Sequence, residues 1–254
     1  MSPIAISLLS LMSICIGMLF GMYLRDHLPQ HHLSSDSKDV MKMGIGMIAT
    51  MAALVLSLLI SSSKGKFDTI NSGLRETGAK IILLDRTMAR YGPQTKEARD
   101  ILHRGVITTI SQLWPTDKNT VDVEKAGQQR VSIEDVTEKL RQLSPQNDEQ
   151  RQLQSKALQI SGAIEEERWL LVEQVGQSSF PMPFLVLLVC WLTVIFFGFS
   201  LFTSRNITVL AILFICALSA ASSLYLILEL DQPYAGLIKV SSTPLLNALA
   251  HLGQ

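Results

Sequence analysis

Charge is scarce in this sequence. Asp, Glu, Lys and Arg make up 17% of its 254 residues, against roughly 25% in an ordinary soluble domain. The 22 basic and 22 acidic residues cancel, which excludes an extended basic surface for nucleic acid. Cysteine is almost missing: Cys15, Cys190 and Cys216 each sit inside an apolar run. That placement excludes a disulfide framework or a zinc signature and leaves small core or lipid-facing side chains. There is no glycine-rich nucleotide loop, no zinc-binding helix motif and no nucleophile elbow. No catalytic residue, metal or cofactor is therefore expected, and the chain is not expected to be an enzyme. Strand-like alternation is absent as well.

What the sequence does have is long apolar runs, within a hydrophobic fraction of 48%. A helix needs about 20 largely apolar residues to cross a bilayer, and four runs meet that requirement. Residues 4–24 carry no charge, and the Met-Ser-Pro start lacks the positive region of a secretory signal, so a retained membrane helix is expected. Residues 43–63 are bracketed by Lys42 and Lys64. Residues 184–202 follow Pro181 and Pro183, which suit a helix start because the N–H groups they lack are unpaired there anyway. Residues 207–228 follow the short polar turn Ser204-Arg205-Asn206, which forces an antiparallel hairpin. The chain is thus read as an all-α integral membrane protein. A transmembrane hairpin covers 1–63, a cytosolic helical bundle 64–180, a second hairpin 181–229 and an interfacial C-terminal segment 230–254. Both termini and the bundle are assigned to the cytoplasm, because Lys64, Lys66, Arg75, Lys80, Arg168 and Lys239 then outnumber Arg25, Lys38, Lys42 and Arg205 on the other side.

In the polar stretch, Ile70, Leu74, Ile81, Leu84, Met88 and Tyr91 recur at helical spacing, with no breaker separating them from the second membrane helix. One helix is expected to run from the membrane to Tyr91, with Gly65 its weakest point and Gly92-Pro93 its end. A helix follows over about 95–113, carrying Ile101, Leu102, Val106 and Ile110. Residues 116–130 are read as a loop. Ser132 and Asp135 are spaced as a capping box for a short helix, and the last helix starts near Asn147. After Pro233 and Gly236, Thr243-Pro244 reads as a cap and first turn. The following Leu245, Leu246, Leu249 and Leu252 give a stretch too short to span, lying at the interface or against the bundle.

Few residues invite a functional reading. His27, His31 and His32 share a loop with Asp26 and Asp36, but solvated loop residues explain them better than a metal site does. Glu165, Glu166 and Glu167, followed by Arg168, read as a solvated helix face. Glu229 and Asp231 end the fourth membrane helix, where charges tend to be paired or functional. A salt bridge from Lys64 to one of them is expected. On the second helix Gly46, Ala49, Thr50, Ala53, Ser57 and Ser61 share one face. Small residues at this spacing either let helices approach closely or line a narrow pathway. Lys42 and Lys64 continue the face at its two ends, and in a symmetric ring each becomes a ring of positive charge that favours anions. Gly17 and Gly21 form a GxxxG packing motif on the first helix.

Three segments together resemble a known family. They are Gly46-Met-Ile-Ala-Thr-Met-Ala-Ala-Leu-Val-Leu-Ser-Leu-Leu59, then Leu83-Leu-Asp-Arg86 with Tyr91-Gly-Pro93, and Leu230-Asp-Gln-Pro-Tyr-Ala-Gly-Leu-Ile-Lys-Val-Ser241. They resemble the bestrophin-like family of bacterial membrane proteins, whose members carry a domain of unknown function. Ser57 stands where glycine is expected and Tyr234 where phenylalanine is expected. Bestrophins are pentameric anion channels with a large cytosolic helical domain, so the resemblance implies a homo-oligomeric channel in a lipid bilayer that conducts small inorganic anions. The bestrophin calcium-binding cluster and aromatic neck residues have no counterpart placed on this sequence. The other expectation is a non-conducting scaffold or sensor whose bundle binds a partner protein.

Overall fold

The computed structural model describes residues 2–27, 35–114, 132–176, 182–202, 206–234 and 236–253, and among them helix is the only regular secondary structure. The elements are α1 (Pro3–His27), α2 (Ser35–Tyr91), a 3-10 turn (Pro93–Thr95), α3 (Lys96–Leu113), α4 (Ile133–Arg141), α5 (Asp148–Gly176), α6 (Met182–Phe202), α7 (Ile207–Leu230) and α8 (Thr243–His251). Four of these, α1, α2, α6 and α7, are long and apolar enough to cross a membrane. The protein is an all-α integral membrane protein. The expected loop at 116–130 and the turn residues Ser204 and Arg205 lie outside the described residues.

Helix α2 is continuous over 57 residues and passes through Gly65 without a break. A glycine inside a helix costs about 1 kcal/mol relative to alanine, and the good helix formers on either side outweigh it. The helix stops at Gly92, whose φ of 127° is open to glycine and closed to side-chain-bearing residues.

The chain divides into two compact units. The membrane unit comprises Met1–Lys66 and Ser178–Gln232. Its core is formed by Ile14 of α1, Ile45, Ala52 and Leu59 of α2, Leu188, Leu192 and Phe196 of α6, and Ala217, Leu224 and Ile227 of α7. The GxxxG motif packs as its spacing demands. A Cβ on Gly17 would lie 2.7 Å from Thr193 Cγ2, and one on Gly21 would overlap Ser200 Oγ and the Phe197 carbonyl. Two polar contacts fix the α1–α6 seam: Ser200 Oγ donates to the Met18 carbonyl at 2.7 Å, and the Ser13 and Thr193 hydroxyls meet at 3.1 Å. Gly21→Leu should cost on the order of 3 kcal/mol, the upper end for overpacking, because the clash is with backbone. A melting temperature in detergent equal to that of the wild type would refute this.

The helical unit comprises Phe67–Gln177 and Pro233–Gln254. Ile70, Leu74, Ile81, Leu84 and Met88 of α2 face Ile101, Val106 and Ile110 of α3, with Leu140 of α4 and Ile160 and Ile164 of α5 closing the core. The capping box at α4 is formed: the Ser132 hydroxyl accepts from Glu134 N–H, and Ser132 N–H donates to Asp135 at 2.8 Å. At the start of α5, Asn147 Oδ1 accepts from Gln150 N–H. Helix α8 buries Leu245 and Ala248 in this core. Its Pro244 carbonyl lies 2.9 Å from where a Cβ on Gly78 would stand, so that glycine admits α8 against α2. The helix begins at Thr243 rather than after it, and Ser242 occupies the capping position without a side-chain cap.

Candidate functional site

Within the membrane unit α2 presents three faces. Ile45, Ala52 and Leu59, seven residues apart, turn into the core. Met43, Met47, Met51, Leu54 and Leu58 form an exposed face of large apolar side chains, suited to contact with lipid. Between these two, roughly a third of a turn from the packed face, run the small residues Gly46, Thr50, Ala53, Ser57 and Ser61, all exposed, with Ala49 half-buried at the edge. Nothing in the structure stands within 4 Å of a Cβ built on Gly46. The Thr50 hydroxyl donates to the Met47 carbonyl at 2.8 Å. Side-chain volume alone thus divides the outward surface of α2 into a large-residue face and a small-residue strip.

Lys42 and Lys64 are both exposed on α2. At about 1.5 Å per residue they stand about 33 Å apart along the helix, close to the roughly 30 Å of a bilayer core. Lys42 lies 3.8 Å from Asp39, a pair exposed on both sides and therefore of little energetic weight.

The acidic pair at the end of α7 takes two different roles. Glu229 is 2% exposed and accepts a hydrogen bond from the Tyr225 hydroxyl one turn earlier. Asp231 forms a salt bridge at 3.1 Å with Lys66, both side chains largely buried. Lys66, two positions beyond Lys64, thus reaches Asp231. The heptad explains this contact: Lys66 follows Leu59 by seven and continues the face that packs, whereas Lys64 continues the small-residue face. Lys66→Glu should cost about 2 kcal/mol, the weight of a hydrogen bond between charged groups. Lys66→Glu combined with Asp231→Lys should recover part of the loss in the same unfolding assay, and a double variant no better than the single would remove the pairing.

The remaining sequence candidates separate. His27 Nδ1 lies 3.0 Å from the Tyr23 carbonyl, and its ring lies against that of Tyr23. His31, His32 and the side chain of Asp36 lie outside the described residues. In the acidic run, Glu166 is exposed as expected, but Glu167 is not merely solvated: it accepts from Thr77 at 2.9 Å and from Lys80 at 2.7 Å, joining α5 to α2. The Glu167 carboxylate holds the Lys80 ammonium above its ordinary pKa. Arg168 pairs with Glu134 of α4.

Two residues of the helical unit carry more than periodicity assigned to them. Asp85, 2% exposed, receives Arg99 in a two-point pair, Nε to Oδ1 at 2.7 Å and Nη2 to Oδ2 at 3.0 Å. The visible signal was a carboxylate set between Leu84 and Met88 on an apolar face. Tyr234 packs edge-on against Trp114 with ring centroids 5.6 Å apart, while Trp114 Nε1 donates to the Val240 carbonyl. Burial pushes the Tyr234 hydroxyl from its ordinary 10 up to about 12. Because the folded pKa lies above the unfolded one, the neutral phenol's contribution is intact below pH 10 and lost as pH rises towards 12. The unfolding midpoint of the wild type should therefore fall more steeply over that window than that of Tyr234→Phe. Parallel pH profiles would contradict the assignment.

Comparison with known proteins bears on the whole arrangement. The Bestrophin-like domain family matches residues 5–245. The chain belongs to that family. No curated protein matches the chain. Among solved structures, a bacterial Bestrophin homolog from Klebsiella pneumoniae shares its fold at a TM-score of 0.64 and 15% identity, over 99% of this chain and 98% of that one. A structure described as a membrane protein with a proline-to-alanine substitution shows a TM-score of 0.62 at 17% identity, over 99% of each chain. At such identities the likeness establishes the bestrophin fold, and the individual residues must be argued from this chain.

Proposed function

We propose that this bestrophin-like protein is a homo-oligomeric channel for small inorganic anions. The small-residue strip of α2, Gly46, Ala49, Thr50, Ala53, Ser57 and Ser61, lines the path, and Lys42 and Lys64 form its charged ends. The observation that carries this reading is the uncovered strip: the chain's own membrane unit packs a different face of α2, and lipid is better matched by the methionine and leucine face. Brought together around an axis, such strips leave a narrow passage lined by backbone-proximal atoms and hydroxyls. A ring of lysines at each end lowers the energy of an anion entering it. In this proposal both termini and the helical unit are cytoplasmic, and the annulus around the ring is lipid.

The decisive experiment has two parts. Mass and symmetry of the purified protein in lipid nanodiscs should give a closed ring with α2 nearest the axis, and reconstituted liposomes should pass chloride. A monomer or simple dimer without chloride flux would overturn the channel. That outcome would favour a membrane scaffold whose helical unit binds a partner, for which the exposed Trp169, Leu170 and Val172 on α5 offer a surface. Labelling of a cysteine placed in the helical unit by a membrane-impermeant thiol reagent on intact cells would overturn the orientation.

A further inference from the structure

The helical unit holds a cleft of about 510 Å³, partly open to solvent, between α2, α3, α4, α5 and α8. Its walls are mainly apolar, with Leu74, Ile101, Val106, Val136, Ile164 and Leu245 among them, and Thr77, Thr109, Gln112 and Ser132 add polar groups. A space of this size and lining is suited to an organic ligand, since small-molecule sites run to about 300–1,000 Å³ with mainly apolar walls and a few polar groups. Two features of the lining set the chemistry further. Arg168 is the single formally charged residue among the described residues that line it, and its side chain is 43% exposed, so the charge stands at a rim that water reaches. Trp169 beside it is also exposed and carries the Arg168 guanidinium 5.2 Å from its ring. An apolar interior with one cationic, aromatic-flanked rim is complementary to an anionic headgroup on a single apolar chain.

We propose that this cavity binds a free fatty acid, its acyl chain among the apolar walls and its carboxylate on Arg168. The site lies wholly within the helical unit and does not depend on whether the protein conducts. Glu134 already accepts one hydrogen bond from Arg168, and its second carboxylate oxygen is buried with no hydrogen-bond partner among the described residues. Glu134 therefore competes with the ligand for the guanidinium, and it does so from an imperfectly satisfied position. Tyr234, whose phenol is held neutral by burial, supplies a further wall position.

The test uses the full-length protein in nanodiscs and a diazirine-bearing palmitic acid, with labelled peptides identified by mass spectrometry. Labelling is expected in α3 and α5 and should be competed by unlabelled palmitate. Hexadecanol, which has the chain without the charge, should compete roughly tenfold less well, the worth of one hydrogen bond to a charged group. Arg168→Gln should weaken palmitate binding by a similar factor, and Glu134→Gln should strengthen it, opposite directions that misfolding cannot produce. Val136→Phe, which places a ring in the cavity, should abolish α3 labelling while circular dichroism stays helical. Val106→Leu serves as a milder filling variant if Val136→Phe does not fold. Labelling confined to the membrane helices, equal competition by hexadecanol, or indifference to both charge variants would overturn the proposal.

Discussion

Asp85→Ala is expected to cost the protein about 3–5 kcal/mol, the loss seen when one partner of a buried ion pair is removed. The carboxylate is almost fully enclosed and its two oxygens are both engaged by Arg99. Gly253 N–H donates to the second of them at 3.4 Å. Removing the acid strands the Arg99 guanidinium, whose charge Asp85 holds in place and whose pKa the Asp85 hydrogen bond raises. It also frees the end of the chain after α8. Asp85→Leu with Arg99→Met should recover most of the loss, since a buried pair replaced by packed apolar groups is often neutral or better. Urea unfolding followed by circular dichroism measures both. A single variant as stable as the wild type, or a double variant worse than the single, would refute the role.

The second large effect separates adjacent alanines. Ala52 is 3% exposed in the membrane-unit core, whereas Ala53 lies on the uncovered small-residue strip of α2. Ala52→Phe should overpack that core, lower stability by about 1–3 kcal/mol and reduce yield. Ala53→Phe should leave the isolated subunit's stability nearly unchanged, because Ala53 is exposed among the described residues, yet abolish chloride flux or assembly. Flux and oligomer mass compared for the two variants at equal protein in liposomes provide the measurement. Wild-type flux and mass for Ala53→Phe would place that strip against lipid and remove it from the path.

Periodicity and punctuation made the architecture legible. Helix α2 could be followed through Gly65 because apolar residues keep their register on both sides, and its end was marked by a glycine that alone tolerates a φ of 127°. Ser132 with Asp135, and Gly17 with Gly21, are local signals whose partners lie within a few residues or whose small size is itself the message. Pairings across the chain were harder. Lys64 and Lys66 both neighbour the membrane end in sequence, and only the heptad from Ile45 to Leu59 shows which of them packs. Glu167 looked like one of three equivalent acids until Lys80 and Thr77 of another helix met it. The cavity has no linear signature at all, since it exists only where five helices fail to fill the space between them. The role proposed for the α2 strip was equally out of reach of periodicity, because small residues at this spacing serve close packing and a narrow pathway alike.

The α1–α6 seam also has a consequence in time. Ser13 and Thr193, which meet across it, are separated by 180 residues. At about 5–20 residues per second during synthesis, roughly 10–40 s pass between the appearance of the two sides. Throughout that interval the groove at Gly17 and Gly21 is inserted without the helix that fills it. Lipid is a poor substitute there, because an acyl chain cannot supply the hydroxyl of Ser200 to the Met18 carbonyl. Helix α1 therefore presents an unfinished surface until α6 has been made.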